Sequence, residues 1–286
     1  MIGRREFLKR GAAGLAGAAL LSRLMRAEEA AMAGKIRIGA RHFGGDFEAG
    51  KRAGLDGLEI GVGGPAEKLP VADPALRQKY KDGAKATGLV VSSLSMDLLN
   101  NHPLFSDARV PGWVVQTIEA AKDLGAGAIL VPFFSKADLV QDREVKKAEV
   151  DTLVEKLKDL GPKAKEAGVF LGVESYLSAK QNLELLDRVG SDAVAVYYDV
   201  CNLTNKGYDV PAELRALKGR LCMIHFKDEN CYLGESKGKV KMEPIGEAIR
   251  EIGYKGWIVL ETPCPSKNAE ADCRRNAEYS RKLLGL

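Results

Sequence analysis

The chain contains few of the residues that hold small or metal-rich proteins together. Its 286 residues include only three histidines and five cysteines, and no two cysteines have the CxxC spacing. So few imidazoles argue against a polynuclear site rich in histidine, and an odd cysteine count does not indicate a disulfide framework. We expect Cys201 and Cys222 to be buried free thiols. The sequence also allows one disulfide among Cys231, Cys264 and Cys273.

The body of the chain also lacks an excess of charge of either sign. The formal net charge is +4, but residues 1–33 hold six Lys and Arg against three Asp and Glu, which leaves 37 against 36 for residues 34–286. A nearly neutral body offers no basic surface to a phosphate backbone, which argues against a nucleic-acid partner. A composition that is 45% hydrophobic and 29% charged, with no linker or low-complexity stretch, is typical of one large soluble domain.

The N-terminal region has no apolar run long enough to cross a bilayer. Arg4 and Arg5 precede Gly11–Leu21, an apolar stretch of 11 residues, whereas a spanning helix needs roughly 20 residues. The paired arginines resemble a twin-arginine export signal, and Ala31–Ala33 offers a cleavage site. We therefore predict that the twin-arginine export machinery recognises residues 1–33 and that the cleaved protein works in the periplasm or otherwise outside the cytoplasm, without a stable membrane anchor. The alternative is an amphipathic helix that stays attached.

Beyond residue 34, short apolar stretches alternate with longer amphipathic ones. Near-continuous apolar stretches, typical of parallel strands buried on both faces, predict strands at Ile36–His42, Leu55–Val62, Val90–Ser95, Ala128–Phe133, Val169–Tyr176, Ala193–Val200, Leu221–Lys227 and Trp257–Thr262. Helical spacing predicts helices at Pro74–Ala86, Glu144–Ala167, Ala179–Val189, Ala212–Leu217, Glu243–Ile252 and Ala269–Leu284. No GxGxxG turn follows an early strand, as a doubly wound dinucleotide-binding sheet requires. Residues 34–286 are therefore predicted to form a single α/β domain, a (β/α)8 TIM barrel.

The last four predicted strands each end in a residue that can bind a metal ion. These residues are Glu174, Asp199, His225 and Glu261. The carboxyl ends of barrel strands meet at one mouth, and a charge buried there needs a partner or a metal. Each residue alone is more often a salt-bridge or helix-cap partner, but four in succession predict one divalent-metal site. Three carboxylates and one imidazole favour Mn²⁺, with Mg²⁺, Co²⁺ and Zn²⁺ as alternatives.

Four short motifs surround these strand ends. They are Gly-Val-Glu174, Tyr-Asp199 with Asn202, Ile-His225-Phe-Lys227-Asp228 and Gly253-Tyr-Lys-Gly-Trp257-Ile-Val-Leu-Glu261. The motifs resemble those of the sugar isomerase and epimerase superfamily, the xylose isomerase-like TIM barrels. In the ketose 3-epimerase branch of that superfamily, residues at these strand ends bind the metal and the two glutamates are also the acid and base. The resemblance implies the same two roles for Glu174 and Glu261 here.

The resemblance also indicates where a sugar would be held. Asn202 stands where many relatives have a histidine that contacts substrate or a second metal. The arginine expected after the seventh strand is not evident, and Lys227 is the nearest cation. His102 follows the third predicted strand. We predict substrate contacts for Asn202, Lys227 and His102.

These features together predict a metal-dependent isomerase or epimerase of a small carbohydrate or sugar-like keto compound. One carboxylate removes the proton next to the carbonyl, which gives an ene-diolate, and the other returns a proton from the opposite face. The main alternative is expulsion of a β-substituent, as in a lyase or hydrolase of an oxidised glycoside or in a keto-inositol dehydratase. A non-catalytic sugar-binding barrel is a further alternative.

Two other expectations come from the resemblance. The abasic-site nucleases of this superfamily need several histidines in the second half of the chain, and His225 is the only one after residue 102. A nuclease is therefore not expected. Family members often pair, so the resemblance implies a homo-oligomer.

Overall fold

Parallel strands close into a barrel in residues 34–286, the part of the chain that this computed structural model describes. The barrel strands are β1 (Arg37–Ala40), β2 (Gly57–Gly61), β3 (Val90–Ser95), β4 (Ala128–Phe133), β5 (Phe170–Ser175), β6 (Val194–Asp199), β7 (Leu221–Phe226) and β8 (Trp257–Leu260). Each pairs in parallel with the next, and β1 closes the barrel by pairing with both β2 and β8. The predicted TIM barrel is confirmed. The predicted export signal, residues 1–33, lies outside the described residues.

Helices alternate with these strands along the chain. They are α1 (Phe47–Arg52), α2 (Pro74–Thr87), α3 (Val110–Leu124), α4 (Lys147–Ala167), α5 (Ala179–Val189), α6 (Val200–Asn205), α7 (Val210–Ala216), α8 (Met242–Glu251) and α9 (Ala269–Leu284). The apolar stripe of α4, which includes Leu153 and Leu157, is buried. The helix ends at Gly168, whose φ of 72° is the left-handed conformation that favours glycine at a helix C-terminus.

The predicted helix at Glu144–Ala167 is wrong in its first turn. Glu144–Val145 pairs antiparallel with Val140–Gln141, across a turn in which Asp142 and Arg143 have left-handed φ values of 50° and 67°. Glu144 and Val145 therefore belong to this hairpin, and the helix begins at Lys147. The sequence pattern does not predict α1, α3 or α6. Two of them have only six residues each, and α3 begins with a Val-Pro-Gly sequence that looks like a turn.

The inside of the barrel is apolar at its floor and polar above it. The floor is the cluster of buried strand residues Ala128, Leu130, Tyr197, Met223, Trp257 and Val259. Tyr197 belongs to this floor, yet its hydroxyl group donates a hydrogen bond to the buried Glu59. It therefore joins the apolar floor to the polar layer at the mouth.

The cysteines take no part in cross-linking the barrel. All five lie within the described residues and are free, so no bridge joins Cys231, Cys264 and Cys273. Cys201 is buried, as predicted, and Cys222 is half-buried. Among residues 34–286, no helix combines the length and the apolar character that a membrane crossing requires.

Candidate metal centre

The ends of β5, β6, β7 and β8 bring four side chains to one point at the barrel mouth. One oxygen each of Glu174, Asp199 and Glu261 and one ring nitrogen of His225 lie within 4.8 Å of one another. The strand register explains this proximity. Asp199 is the cross-strand partner of His225, and Glu261 follows β8, in which Val259 pairs with His225. The four residues predicted as metal ligands are therefore neighbours in space.

Asp199 uses its two carboxylate oxygens for different purposes. Its Oδ1 atom accepts hydrogen bonds from the backbone N–H groups of Cys201 and Asn202, at 2.8 and 2.7 Å, and so caps α6. Its Oδ2 atom is buried and has no hydrogen-bond partner. A buried oxygen without a partner is costly. Lys227 Nζ is 3.8 Å away, beyond hydrogen-bond distance, so Oδ2 can still bind a cation in the cluster.

His225 directs one edge of its ring at the carboxylates. Its Nδ1 atom lies 3.3 Å from both Glu174 Oε1 and Glu261 Oε2, and 3.9 Å from Asp199 Oδ2. The ring is fully buried. Nδ1 therefore faces the same point in space as the three carboxylate oxygens.

The electrostatics of the cluster favour a bound cation. Burial, together with the charges of Glu174 and Glu261, raises the pKa of Asp199 to about 7, and burial also raises the pKa of Glu174. Burial opposes ionisation of Glu261 too, but nearby cationic groups, first among them His225, outweigh it and lower that pKa. A divalent ion would offset the repulsion between the carboxylates. Three oxygens and one imidazole nitrogen are ligands that such ions accept, so the residues present fit a divalent metal.

Two cationic side chains hold Glu261 from different strands. Arg41, directly after β1, places Nη1 2.9 Å from Glu261 Oε1 and also pairs with Asp97. Lys227, directly after β7, places Nζ 3.4 Å from Glu261 Oε2 and 3.5 Å from Asn202 Oδ1. Lys227 and Asn202, both predicted to contact substrate, therefore lie at the edge of the cluster. Arg41 was not predicted, although its place at the end of a strand was a signal.

Glu59 is a second residue that the sequence pattern did not reveal. It lies in the middle of β2, is 1% exposed, and accepts hydrogen bonds from Ser93 and Tyr197. Burial opposes its ionisation, but the charge and hydrogen bond of His225 lower its pKa to about 2. The available signal was a single acidic residue inside an otherwise apolar strand.

His102, the third residue predicted to contact substrate, forms its side-chain contacts outside the four-residue cluster. Its ring nitrogen Nδ1 lies 3.1 Å from Asp107 Oδ2 and 3.0 Å from an Arg109 nitrogen, and its ring contacts the edge of Trp113. None of these residues belongs to the cluster. Trp113 itself is buried and donates to the carbonyl of Ala66, as a helix-packing residue does.

An open cleft of about 560 Å³ lies beside the cluster, with Arg41, Lys227 and Glu261 in its walls. At the ends of β4 and β5, the half-buried rings of Phe134 and Tyr176 lie 4.7 Å apart between centroids. The charged groups in the cleft walls can form hydrogen bonds with the hydroxyl groups of a small polar ligand. The mouth of the barrel therefore has the character of a ligand site.

Fold and site together define a TIM barrel with a candidate divalent-metal site at the carboxyl ends of its strands. Residues 47–283 match the model of the xylose isomerase-like TIM barrel family, and the chain belongs to that family. The match extends over both halves of the barrel, whereas the sequence motifs lie mainly in the second half.

Several curated relatives are sugar epimerases. An L-ribulose-5-phosphate 3-epimerase of Escherichia coli O157:H7 is 25% identical over 233 residues, which are 75% of this chain and 80% of the relative. A D-psicose 3-epimerase of Enterocloster bolteae is 28% identical over 116 residues, which are 38% of each chain. An inosose dehydratase of Lacticaseibacillus casei is 26% identical over 139 residues, which are 40% of this chain and 47% of the relative.

Solved structures share the fold. A D-psicose 3-epimerase crystallised in the presence of D-fructose has a TM-score of 0.72 at 17% identity, covering 87% of this chain and all of the other. A xylose isomerase-like TIM barrel protein from Mycobacterium smegmatis, in complex with magnesium, has a TM-score of 0.66 at 20% identity, covering 87% of this chain and 96% of the other. At these identities the likeness is one of fold.

Proposed function

We propose that the protein is a divalent-metal-dependent isomerase or epimerase of a sugar or sugar-like keto compound. The observation that carries the proposal is the pair Glu174 and Glu261, whose carboxylates each lie 3.3 Å from the Nδ1 atom of His225. The two glutamates reach this point from different strands, β5 and β8. The sugar epimerases among the relatives support the same reaction class.

Epimerisation next to a carbonyl needs one group to remove a proton from carbon and another to return one to the opposite face. Glu174 and Glu261 are the two carboxylates placed for these roles. Arg41 and Lys227 contact Glu261, which fixes its position, whereas Glu174 contacts His225 and is almost fully buried. One carboxylate removes a proton to give an ene-diolate, and the other carboxylate delivers a proton to the opposite face, which completes the epimerisation.

The metal ligands in this proposal are Glu174, Asp199, His225 and Glu261. Their oxygen-rich composition favours Mn²⁺, with Mg²⁺, Co²⁺ or Zn²⁺ as alternatives. When bound, such an ion polarises the substrate carbonyl and stabilises negative charge on the substrate oxygens. Lys227 and Asn202 stand at the edge of the cluster, where each can hydrogen-bond a substrate hydroxyl. The homo-oligomer stays a prediction from the family resemblance.

Exchange of substrate hydrogen with solvent tests the proposed chemistry. Keto sugars are incubated in D₂O with Mn²⁺-loaded protein, and proton NMR follows deuterium entry at the carbon next to the carbonyl. We expect exchange together with a new epimer, and a loss of about 10²- to 10⁴-fold in rate for Glu174→Gln or Glu261→Gln. The control is Glu251→Gln, which alters an exposed pair with Arg215 at the far end of α8. Wild-type rates in either site variant would contradict the acid and base assignment.

Elimination of a β-substituent is a second candidate function, favoured by the inosose dehydratase among the relatives. The first step is the same proton removal, but the intermediate then expels water or an alcohol instead of taking a proton back. The same incubation distinguishes the two outcomes. An unsaturated carbonyl product that absorbs in the near ultraviolet, without any epimer, would identify a lyase.

We also propose that residues 1–33 direct export by the twin-arginine pathway. Arg4 and Arg5 ahead of a short apolar stretch support this proposal. Replacing both arginines by lysine should retain the protein in the cytoplasm, and cell fractionation with N-terminal sequencing measures the result. Unchanged fractionation in the double variant would contradict it.

A further inference from the structure

Glu59 is a buried carboxylate whose partners account for both of its oxygens. Its Oε2 atom accepts hydrogen bonds from Ser93 Oγ at 2.7 Å and from Tyr197 Oη at 2.6 Å. Its Oε1 atom faces the Nε2 atom of His225 at 3.3 Å, and Arg41 Nε lies 3.7 Å from the same oxygen. A buried carboxylate persists only when such partners compensate for its lost hydration. Its position is therefore fixed from several sides.

This arrangement gives a hydrogen on Nε2 of His225 an acceptor that lies outside the four-residue cluster. The hydroxyl groups of Ser93 and Tyr197 engage Oε2, so Oε1 remains to accept a hydrogen bond from the histidine. A carboxylate oxygen only accepts, so Nε2 has to be the donor. In a neutral ring that binds a metal ion, the lone pair would then lie on Nδ1, the atom that faces Glu174 and Glu261.

We propose that Glu59 is a positioning residue that orients His225, with Nε2 protonated and Nδ1 directed at the four-residue cluster, and thereby strengthens divalent-metal binding. The inference rests on the proposed metal site and extends it to a residue in the other half of the barrel. A histidine that binds a metal through one ring nitrogen commonly donates the other N–H to a carboxylate, which fixes the ring and raises its basicity.

The surroundings of the pair restrict movement of both groups. The Tyr197 ring contacts the His225 ring at 4.5 Å between centroids, and Tyr197 is itself packed in the apolar floor of the barrel. Rotation of His225 would break its contact with Glu59, and a shift of Glu59 would break its bonds to Tyr197 and Ser93. A purely structural ion pair would contribute to folding stability and leave metal affinity unchanged, which provides a way to distinguish the two roles.

Metal titration of matched variants tests the inference. Glu59→Gln keeps the size of the side chain but removes the carboxylate, whereas Tyr197→Phe keeps the carboxylate and removes one of its two hydroxyl donors. Mn²⁺ is titrated into metal-free protein and free Mn²⁺ is measured by electron paramagnetic resonance. We expect Glu59→Gln to raise the Kd by about 10- to 100-fold, the usual cost of losing such a partner, and Tyr197→Phe to raise it less. An increase below tenfold in a folded Glu59→Gln protein would overturn the inference.

A measurement on the unmodified protein covers the case in which Glu59→Gln does not fold. The chain has three histidines, so ¹⁵N NMR of histidine-labelled, Zn²⁺-loaded protein gives few signals, and His225→Ala identifies those of His225. We expect a protonated Nε2 and a metal-bound Nδ1. The reverse pattern would overturn the role of Glu59 while leaving the metal site in place. Failure of the wild-type protein to bind either ion would instead overturn the metal site, and this inference with it.

Discussion

The two halves of the barrel contribute to its mouth in different ways. Strands β5 to β8 supply the four residues that share one point in space. The first half supplies Arg41, Glu59 and Asp97, which contact those residues or one another. The candidate ligand atoms therefore come from the second half, whereas the groups that orient and neutralise them come from both halves: Arg41 and Glu59 from the first, and Lys227 from the second. In a closed barrel, β1 neighbours β8, so the first half lies within reach of the second.

Replacing one candidate ligand oxygen should have the largest effect on metal affinity. It would distinguish most clearly between the roles of the two halves. Asp199→Asn keeps an acceptor that can cap α6 but replaces the carboxylate oxygen Oδ2, which has no hydrogen-bond partner. We expect a loss of Mn²⁺ affinity beyond the roughly 100-fold that the loss of an outer partner costs. Isothermal titration calorimetry measures the affinity, and circular dichroism checks the fold.

The matched control is Asp228→Asn. Asp228 is as deeply buried as Asp199, but its oxygens accept hydrogen bonds from the backbone N–H groups of Glu229, Lys239 and Val240. This change should cost about 1–3 kcal/mol of stability through a lost buried hydrogen bond, with little change in metal affinity. Similar metal affinities in the two variants would contradict the distinction between ligand and loop anchor.

The contribution of the first half is tested next by Arg41→Met. The substitution keeps much of the side-chain length but removes the charge that contacts Glu261 and Asp97. A hydrogen bond between charged groups contributes about 1.5–3 kcal/mol, so we expect kcat/KM to fall by about 10- to 100-fold on any substrate found. Full activity would show that Lys227 alone positions Glu261.

A smaller effect is expected from the packing of the first half. A methyl group on Gly57 in β2 would lie 2.6 Å from the Trp257 ring and 2.7 Å from the carbonyl oxygen of Val90. Gly57→Ala should therefore destabilise the protein by about 1–3 kcal/mol, as overpacking does, which urea denaturation measures. Gly61→Ala at the other end of the strand meets nothing within 4 Å and should change stability little. Equal stabilities for the two variants would contradict this close packing.

The smallest effect is expected for His102→Ala. His102 follows β3 in sequence, but its polar partners are Asp107 and Arg109. Because these contacts lie outside the cluster, KM should change by less than about twofold, within the small effects usual for sites away from special features. Steady-state kinetics measures it. A tenfold rise in KM would instead support the substrate contact that the sequence predicted for His102.

The barrel could be predicted from the sequence because its strands are buried on both faces, so that each strand is a nearly continuous apolar stretch. The predicted and observed boundaries coincide at Val90–Ser95 and Ala128–Phe133. The hairpin at Val140–Val145 was missed because a turn with left-handed residues interrupts a sequence whose spacing still favours a helix. The six-residue helices α1 and α6 were too short to show periodicity.

The site was predictable to the extent that each residue lies at the end of its own strand. Glu174, Asp199, His225 and Glu261 could be grouped because consecutive strand ends meet at one mouth. Glu59 could not, because it lies within a strand and its role depends on contact with His225, 166 positions away in the chain. Such a contact depends on how the barrel closes, which local sequence patterns do not show.

The most direct measurement of the central claim is the metal content of protein purified without chelator, by mass spectrometry, compared with His225→Ala. The account predicts about one equivalent of Mn or a similar divalent ion per wild-type chain, and its loss in the variant. A folded wild-type protein that contains no metal and takes up no added Mn²⁺ would contradict it, and the four residues at the barrel mouth would then be structural.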